Sequence, residues 1–136
     1  MDNKKLLLTD LSPRLAYGVK FECNKNVYTA KGLDLIVTDE GDWEYAVTAK
    51  DFVAIEIDFI KPYLFPLSSI SEEIMDEIYS ITGVYDIDID SPVHIEVGTT
   101  FEDLTKIFDI LNKHHIDYRG MIEKGLALDA TGLNIY

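Results

Sequence analysis

Three groupings in this 136-residue chain combine residue types and spacings that chemistry could use. The first is Asp86-Ile87-Asp88-Ile89-Asp90, whose carboxylates fall at positions 1, 3 and 5 of a calcium-loop frame. Ser91 stands where an EF-hand needs glycine and Val97 where it needs its bidentate glutamate, so that reading fails twice. Alternation with isoleucine instead describes a strand whose aspartates share the solvent face, and no metal is expected. The second grouping is His114-His115. Neighbours on a helix point about 100° apart and seldom share an ion, and neither His94 nor Cys23 adds a ligand spacing. The third is Arg119, set between Tyr118 and Gly120. Its guanidinium could stack on Tyr118, clamp a carboxylate in bidentate fashion, or receive the carboxylate or phosphate of a ligand. Arg119, Tyr118, His114 and His115 are therefore the candidate ligand-binding residues. The chain has no GxSxG, HExxH, P-loop or dinucleotide fingerprint. No catalytic residue or cofactor is assigned, and the expectation leans away from an enzyme.

Charge is the next signal. The net charge is −13, but residues 1–32 carry +3, residues 33–110 carry −16, and residues 111–136 balance. Such an acidic middle repels nucleic acid and anionic membrane, so neither is an expected partner. It suits a protein with a basic surface, in the sharpest version through a face that imitates nucleic acid. Asp39, Glu40 and Asp42 at one turn, with Asp86, Asp88 and Asp90, are the candidate partner-facing carboxylates. A hydrophobic content of 47% argues against disorder. No apolar run nears the roughly 18 residues of a membrane span. MDNKKLLLTD lacks the ~7–15-residue apolar core of a secretory signal, so none is expected. The single cysteine, Cys23, fits a reducing cytoplasm and reads as a small packed residue near a strand end.

The elements that must position these groups follow from periodicity. One domain over 1–136 is expected, with strands mainly in 1–60. Lys4–Thr9 is a short apolar run. Arg14–Glu22 alternates, with Leu15, Tyr17, Val19 and Phe21 on one face and Arg14, Ala16, Lys20 and Glu22 on the other. Strands are also expected at 27–31, 33–38, 43–48 and 52–60, joined by turns short enough to make them an antiparallel meander or small barrel. Lys61–Leu67 holds Pro62 and Pro66, which argues for an extended connector outside any central strand. Ser69 and Glu72 have the spacing of a capping box for a helix whose apolar face is Ile70, Ile74, Met75, Ile78 and Ile81, and Gly83 is its expected stop. Residues 84–97 read as a hairpin. Thr99 and Glu102 open a second helix that buries Leu104, Ile107, Phe108 and Leu111 against the N-terminal sheet. The fold class is α+β: an antiparallel sheet, two amphipathic helices and a hairpin.

Three blocks carry a resemblance: LLLTDLSPRLAYGVKFE (6–22), KPYLFPLSSISEEI (61–74) and LNKHHIDYRGMIEKGLALDA (111–130). Together they resemble a family of small uncharacterised proteins of Bacteroides-type gut bacteria and their phages, with its KPYLxPLSS connector and closing HHxDYRGLIEKGLAL block. Ile116 and Met121 depart from that pattern. The resemblance implies a bacterial host cell, or its phage particle, as the source, and brings no activity. The functional expectation is a non-enzymatic, acidic interaction module of a phage or mobile element. One alternative is a small-ligand-binding regulator or enzyme with a pocket near the closing block, and another is a virion or assembly component. The closing DYRGMIEKGLALDA is expected to act as a clasp, with Arg119 paired to a carboxylate of the acidic middle.

Overall fold

Helices and antiparallel-rich sheets make the fold α+β, with most of the described strands in the N-terminal half. A computed structural model describes residues 2–50, 53–82 and 101–136. The hairpin expected at 84–97, with Asp86, Asp88, Asp90 and His94, lies outside the described residues, as do Gly83 and Thr99. The first element corrects the sequence expectation. Lys4–Thr9 belongs to a helix, α1 (Asn3–Leu11), capped by Asp2, whose carboxylate accepts the Lys5 amide at 2.9 Å. A 3-10 turn over Ser12–Tyr17 continues it and ends at Gly18, which takes the left-handed conformation at φ +66°. The alternation over 14–22 is therefore a strand only from β1 (Lys20–Cys23) onward. There the expected parity holds, since Phe21 and Cys23 are buried. Arg14, expected in solvent, is fully buried.

Two sheets follow, and neither closes into a barrel. The first has the order β2 (Asn26–Thr29), β1, β6 (Lys61–Pro66), β7 (Ile116–Asp117), with β8 (Leu128–Asp129) also on β6. β1 pairs antiparallel with β2 and β6, whereas β7 and β8 run parallel to β6. The segment expected as a connector is thus a central strand despite its two prolines. The second sheet is the antiparallel β3 (Gly32–Val37), β4 (Trp43–Thr48) and β5 (Ala54–Glu56).

One core gathers Leu7 and Leu11 of α1 with Val19, Phe21, Cys23, Val47, Ile57, Leu64 and Met121. A second core joins α2 (Glu72–Thr82) to α3 (Phe101–Lys113) through Ile74, Ile78, Ile107, Ile110 and Leu111, with Ile116 and Tyr118 of the closing block. α3 therefore packs on α2 and the closing block in place of the N-terminal sheet, and Leu104 and Phe108 are only partly buried. At the start of α2 it is Ser71 Oγ, and not Ser69, that accepts an amide, that of Ile74 at 3.3 Å. Ser69 is spent in a preceding 3-10 turn.

Candidate functional site

The end of α1 and its 3-10 extension place Asp10 and Arg14 four residues apart on one face, where helical geometry brings side chains together. Both are completely buried. Arg14 Nε donates to Asp10 Oδ2 and Nη2 donates to Oδ1, each at 3.1 Å, and Nη2 also donates to the Ile116 carbonyl at 2.7 Å. Arg119 Nε lies 3.4 Å from Asp10 Oδ1, an electrostatic contact without hydrogen-bond geometry. Burial pushes the Asp10 carboxyl above its usual range, while the charges of Arg14 and Arg119 pull it back. Both guanidinium carbons stand over the Tyr118 ring, at 5.1 and 5.2 Å from its centroid. The Tyr118 hydroxyl donates to Asn112 Oδ1 at 2.8 Å, and Phe108 packs at 5.0 Å. The expected clasp pairing is thus corrected in its partner. Arg119 meets a carboxylate of the basic N-terminal segment, brought in by α1, and not one from residues 33–110.

The rest of the closing block ties itself down. Asp117 accepts the amides of Met121 and Ile122 at 2.8 and 2.9 Å, so its carboxylate shapes the turn that follows. His115 is buried at φ +60°, and its ring stacks on Tyr136 at 3.7 Å with 16° between planes. Burial lowers the His115 pKa to about 4, and the nearby charges of Arg14, His114 and Lys20 add to the effect. Its Nδ1, like Arg14 Nη1, is buried without a hydrogen-bond partner among the described residues. His114 faces away, with Nε2 3.1 Å from Glu77 Oε1 of α2, beside the Lys113 ammonium at 3.1 Å. Burial acts to raise the Glu77 pKa, but its hydrogen bonds to His114 and Lys113 leave it lowered.

Tyr136 has a role that no sequence signal announced. β1 and β6 pair at Phe21↔Pro62 and Glu22↔Lys61, and Pro62 has no amide to give. Beyond that point the Tyr136 hydroxyl accepts the Lys20 amide at 2.8 Å and donates to the Tyr63 carbonyl at 2.7 Å. It relays one rung of the ladder from outside the sheet. Burial raises its own pKa to about 12, against the Lys20 bond and the Arg14 charge. Tyr136→Phe keeps the stacked ring but strands that donor and acceptor. A loss of about 0.5–1.5 kcal/mol in urea unfolding is the expected result, since the Tyr136 side chain is partly exposed and water can replace some of the lost bonding.

Of the four candidate ligand-binding residues only Arg119 and Tyr118 meet, the guanidinium over the ring, and the two histidines go elsewhere. Tyr118 and His115 are packed inside, His114 belongs to the α2–α3 ion cluster, and Arg119 is one-third exposed beside Asp10. Sequence reasoning missed Asp10, Arg14, Asn112 and Tyr136. The acid-to-arginine spacing of four is a readable sign for the first pair once a helical period is followed from residue 4 to residue 14. Among the described residues no three His, Cys, Asp or Glu side chains gather as a metal site needs. No helix among them is long and apolar enough to cross a membrane.

The described acidic candidates lie elsewhere, on the β3–β4 hairpin. Asp39, Glu40 and Asp42 are exposed at its tip, and Asp34 is exposed on β3. Cross-strand pairs Leu33↔Val47, Leu35↔Tyr45 and Val37↔Trp43 share one face. At the inner end that face is core, with Val47 fully buried and Leu33 packed against it. At the outer end it is bare: Leu35, Val37 and Tyr45 are about half exposed and Trp43 is 71% exposed. The Leu35 amide donates to Asp34 Oδ1 at 2.8 Å and the Tyr45 amide to Glu44 Oε1 at 3.0 Å. Carboxylates thus occupy amides that could otherwise recruit another strand. Compared with protein families, with curated proteins and with solved structures, the chain matches none of them.

Proposed function

We propose that this chain is a non-enzymatic protein-interaction module that docks through the outer face of β3–β4. Its partner is a protein surface that is apolar at the centre and rich in lysine and arginine at the rim. The observation that carries this reading is the bare quartet Leu35, Val37, Trp43 and Tyr45, rimmed by Asp34, Asp39, Glu40 and Asp42. Large aromatic side chains supply most of the energy of protein interfaces, and a charged rim supplies steering and selectivity. A face built only to imitate phosphates would have no use for an exposed tryptophan, so resemblance to nucleic acid extends to the sign of the charge alone. The capped amides favour contact through the face over strand addition. Pairing with a second copy is disfavoured, because it would bring two acidic tips together. In this reading the module works in the cytoplasm of a bacterial cell that carries a phage or mobile element, as the resemblance of its three blocks implies.

Trp43 is the chain's one tryptophan, so its fluorescence reports on the proposed face directly. Affinity capture from host lysate, run in parallel with the wild type and Trp43→Ala, supplies the test. The expected result is a partner whose binding blue-shifts Trp43 emission and weakens with added salt. Trp43→Ala should weaken it by at least about 2 kcal/mol, while the melting temperature holds because the side chain is exposed. Capture indifferent to Trp43→Ala and to salt, or a stable dimer of the chain alone, overturns the reading.

A further inference from the structure

A cavity of about 220 Å3 opens beside the closing block, lined by α1, by residues 57–61 and by Gly125-Leu126. Three of its lining residues, Leu7, Ile57 and Ile60, are buried core side chains, and Leu126 joins them. The exposed lining residues carry both signs of charge: Lys4, Lys61 and Asp58. Lys4 Nζ is 3.2 Å from Asp58 Oδ2 and also holds Glu44. Lys61 makes no salt bridge among the described residues.

We infer that this cavity binds a free α-amino acid with an apolar side chain. The charges at the mouth select the head group. A simple carboxylate entering there meets Asp58 as a like charge, and a simple amine meets Lys4 and Lys61 in the same way. A zwitterion turns its carboxylate to Lys61 and its ammonium to Asp58, so each charge that loses water gains an opposite one. The size selects the rest. The volume falls below the roughly 300–1,000 Å3 of sites for drug-sized ligands, which excludes a nucleotide and suits a short branched side chain over Leu7, Ile57 and Leu126. The site shares no residue with the bare hairpin face and stands whether or not that face binds a protein.

Amide 1H–15N spectra of the full chain, titrated with L-leucine to about 10 mM to cover weak binding, test the inference. Saturable shifts at Leu7, Ile57 and Leu126 are expected, with much weaker responses to 4-methylpentanoate and 3-methylbutylamine, each of which lacks one head group. Lys61→Gln should weaken L-leucine about tenfold or more through the loss of a charge-assisted contact. Leu126→Trp should fill the cavity and abolish the shifts. If that variant does not fold, the exposed Lys61→Gln decides alone. Absence of saturable shifts in the wild type overturns the inference. So does an equal response to the three probes, or unchanged affinity in folded Lys61→Gln.

Discussion

Arg14→Met is expected to destabilise the protein by about 3–5 kcal/mol, because it leaves the Asp10 carboxylate buried with most of its compensation gone. The wild-type carboxylate holds two guanidinium hydrogen bonds in a fully buried setting, and Arg119 offers only a longer contact. The same substitution removes the donor to the Ile116 carbonyl, a tie across 102 positions of sequence between β7 and the 3-10 turn that follows α1. Arg14→Lys should rescue little, since one ammonium cannot reproduce the planar fork that spans Asp10 and the carbonyl. Urea unfolding with a constant m-value is the measurement. Combining Arg14→Met with Asp10→Leu should cost less than the sum of the two single changes, because no unpaired carboxylate remains. A loss below about 1 kcal/mol for Arg14→Met alone would show that the buried pair does not hold α1 to the closing block.

Acid should weaken the fold before most carboxylates titrate. His115 has a folded pKa of about 4 against its ordinary 6.5, so between those values the unfolded chain binds the proton and the folded chain does not. Stability from this group is complete above about pH 6.5 and is lost as pH falls to about 4, with a total near 3 kcal/mol. The physical cause is burial against the Tyr136 ring, with the Arg14, His114 and Lys20 charges all opposing an added positive one. The expected measurement is a falling urea midpoint from pH 7 to pH 4. His115→Asn should flatten that slope, because asparagine tolerates the positive φ at this position and does not titrate. A wild-type slope that survives in His115→Asn would place its origin in other groups. Asp10, whose carboxyl is raised, acts with the opposite sign, since the folded state then holds its proton to higher pH than the unfolded chain.

Local physics determined much of this molecule. Aromatic and β-branched residues over 43–48 mark β4 with its observed ends, because such side chains fit a pleated, half-buried surface. The 3.6-residue spacing of Ile107 and Leu111 gives the buried stripe of α3. The acidic turn at Asp39–Asp42 is exposed at the tip of the β3–β4 hairpin, where charged and glycine residues mark a turn. Three features needed the tertiary structure. The run Lys4–Thr9 is too short for its period to separate strand from helix, and the choice falls to Asp2 as a cap and to the core that receives Leu7 and Leu11. Arg14 reads as solvent-facing in a strand window, and its burial is made tolerable by Asp10 one helical turn earlier together with Ile116 and Tyr118 from the far end of the chain. Pro62 argues against a central strand because it removes an amide. Pro62 sits opposite Phe21 in the ladder all the same, and the neighbouring rung is closed from outside the sheet, where the hydroxyl of Tyr136 accepts the Lys20 amide and donates to the Tyr63 carbonyl. Propensity is a property of neighbours in sequence, whereas the satisfaction of a buried polar group depends on whatever the fold brings beside it.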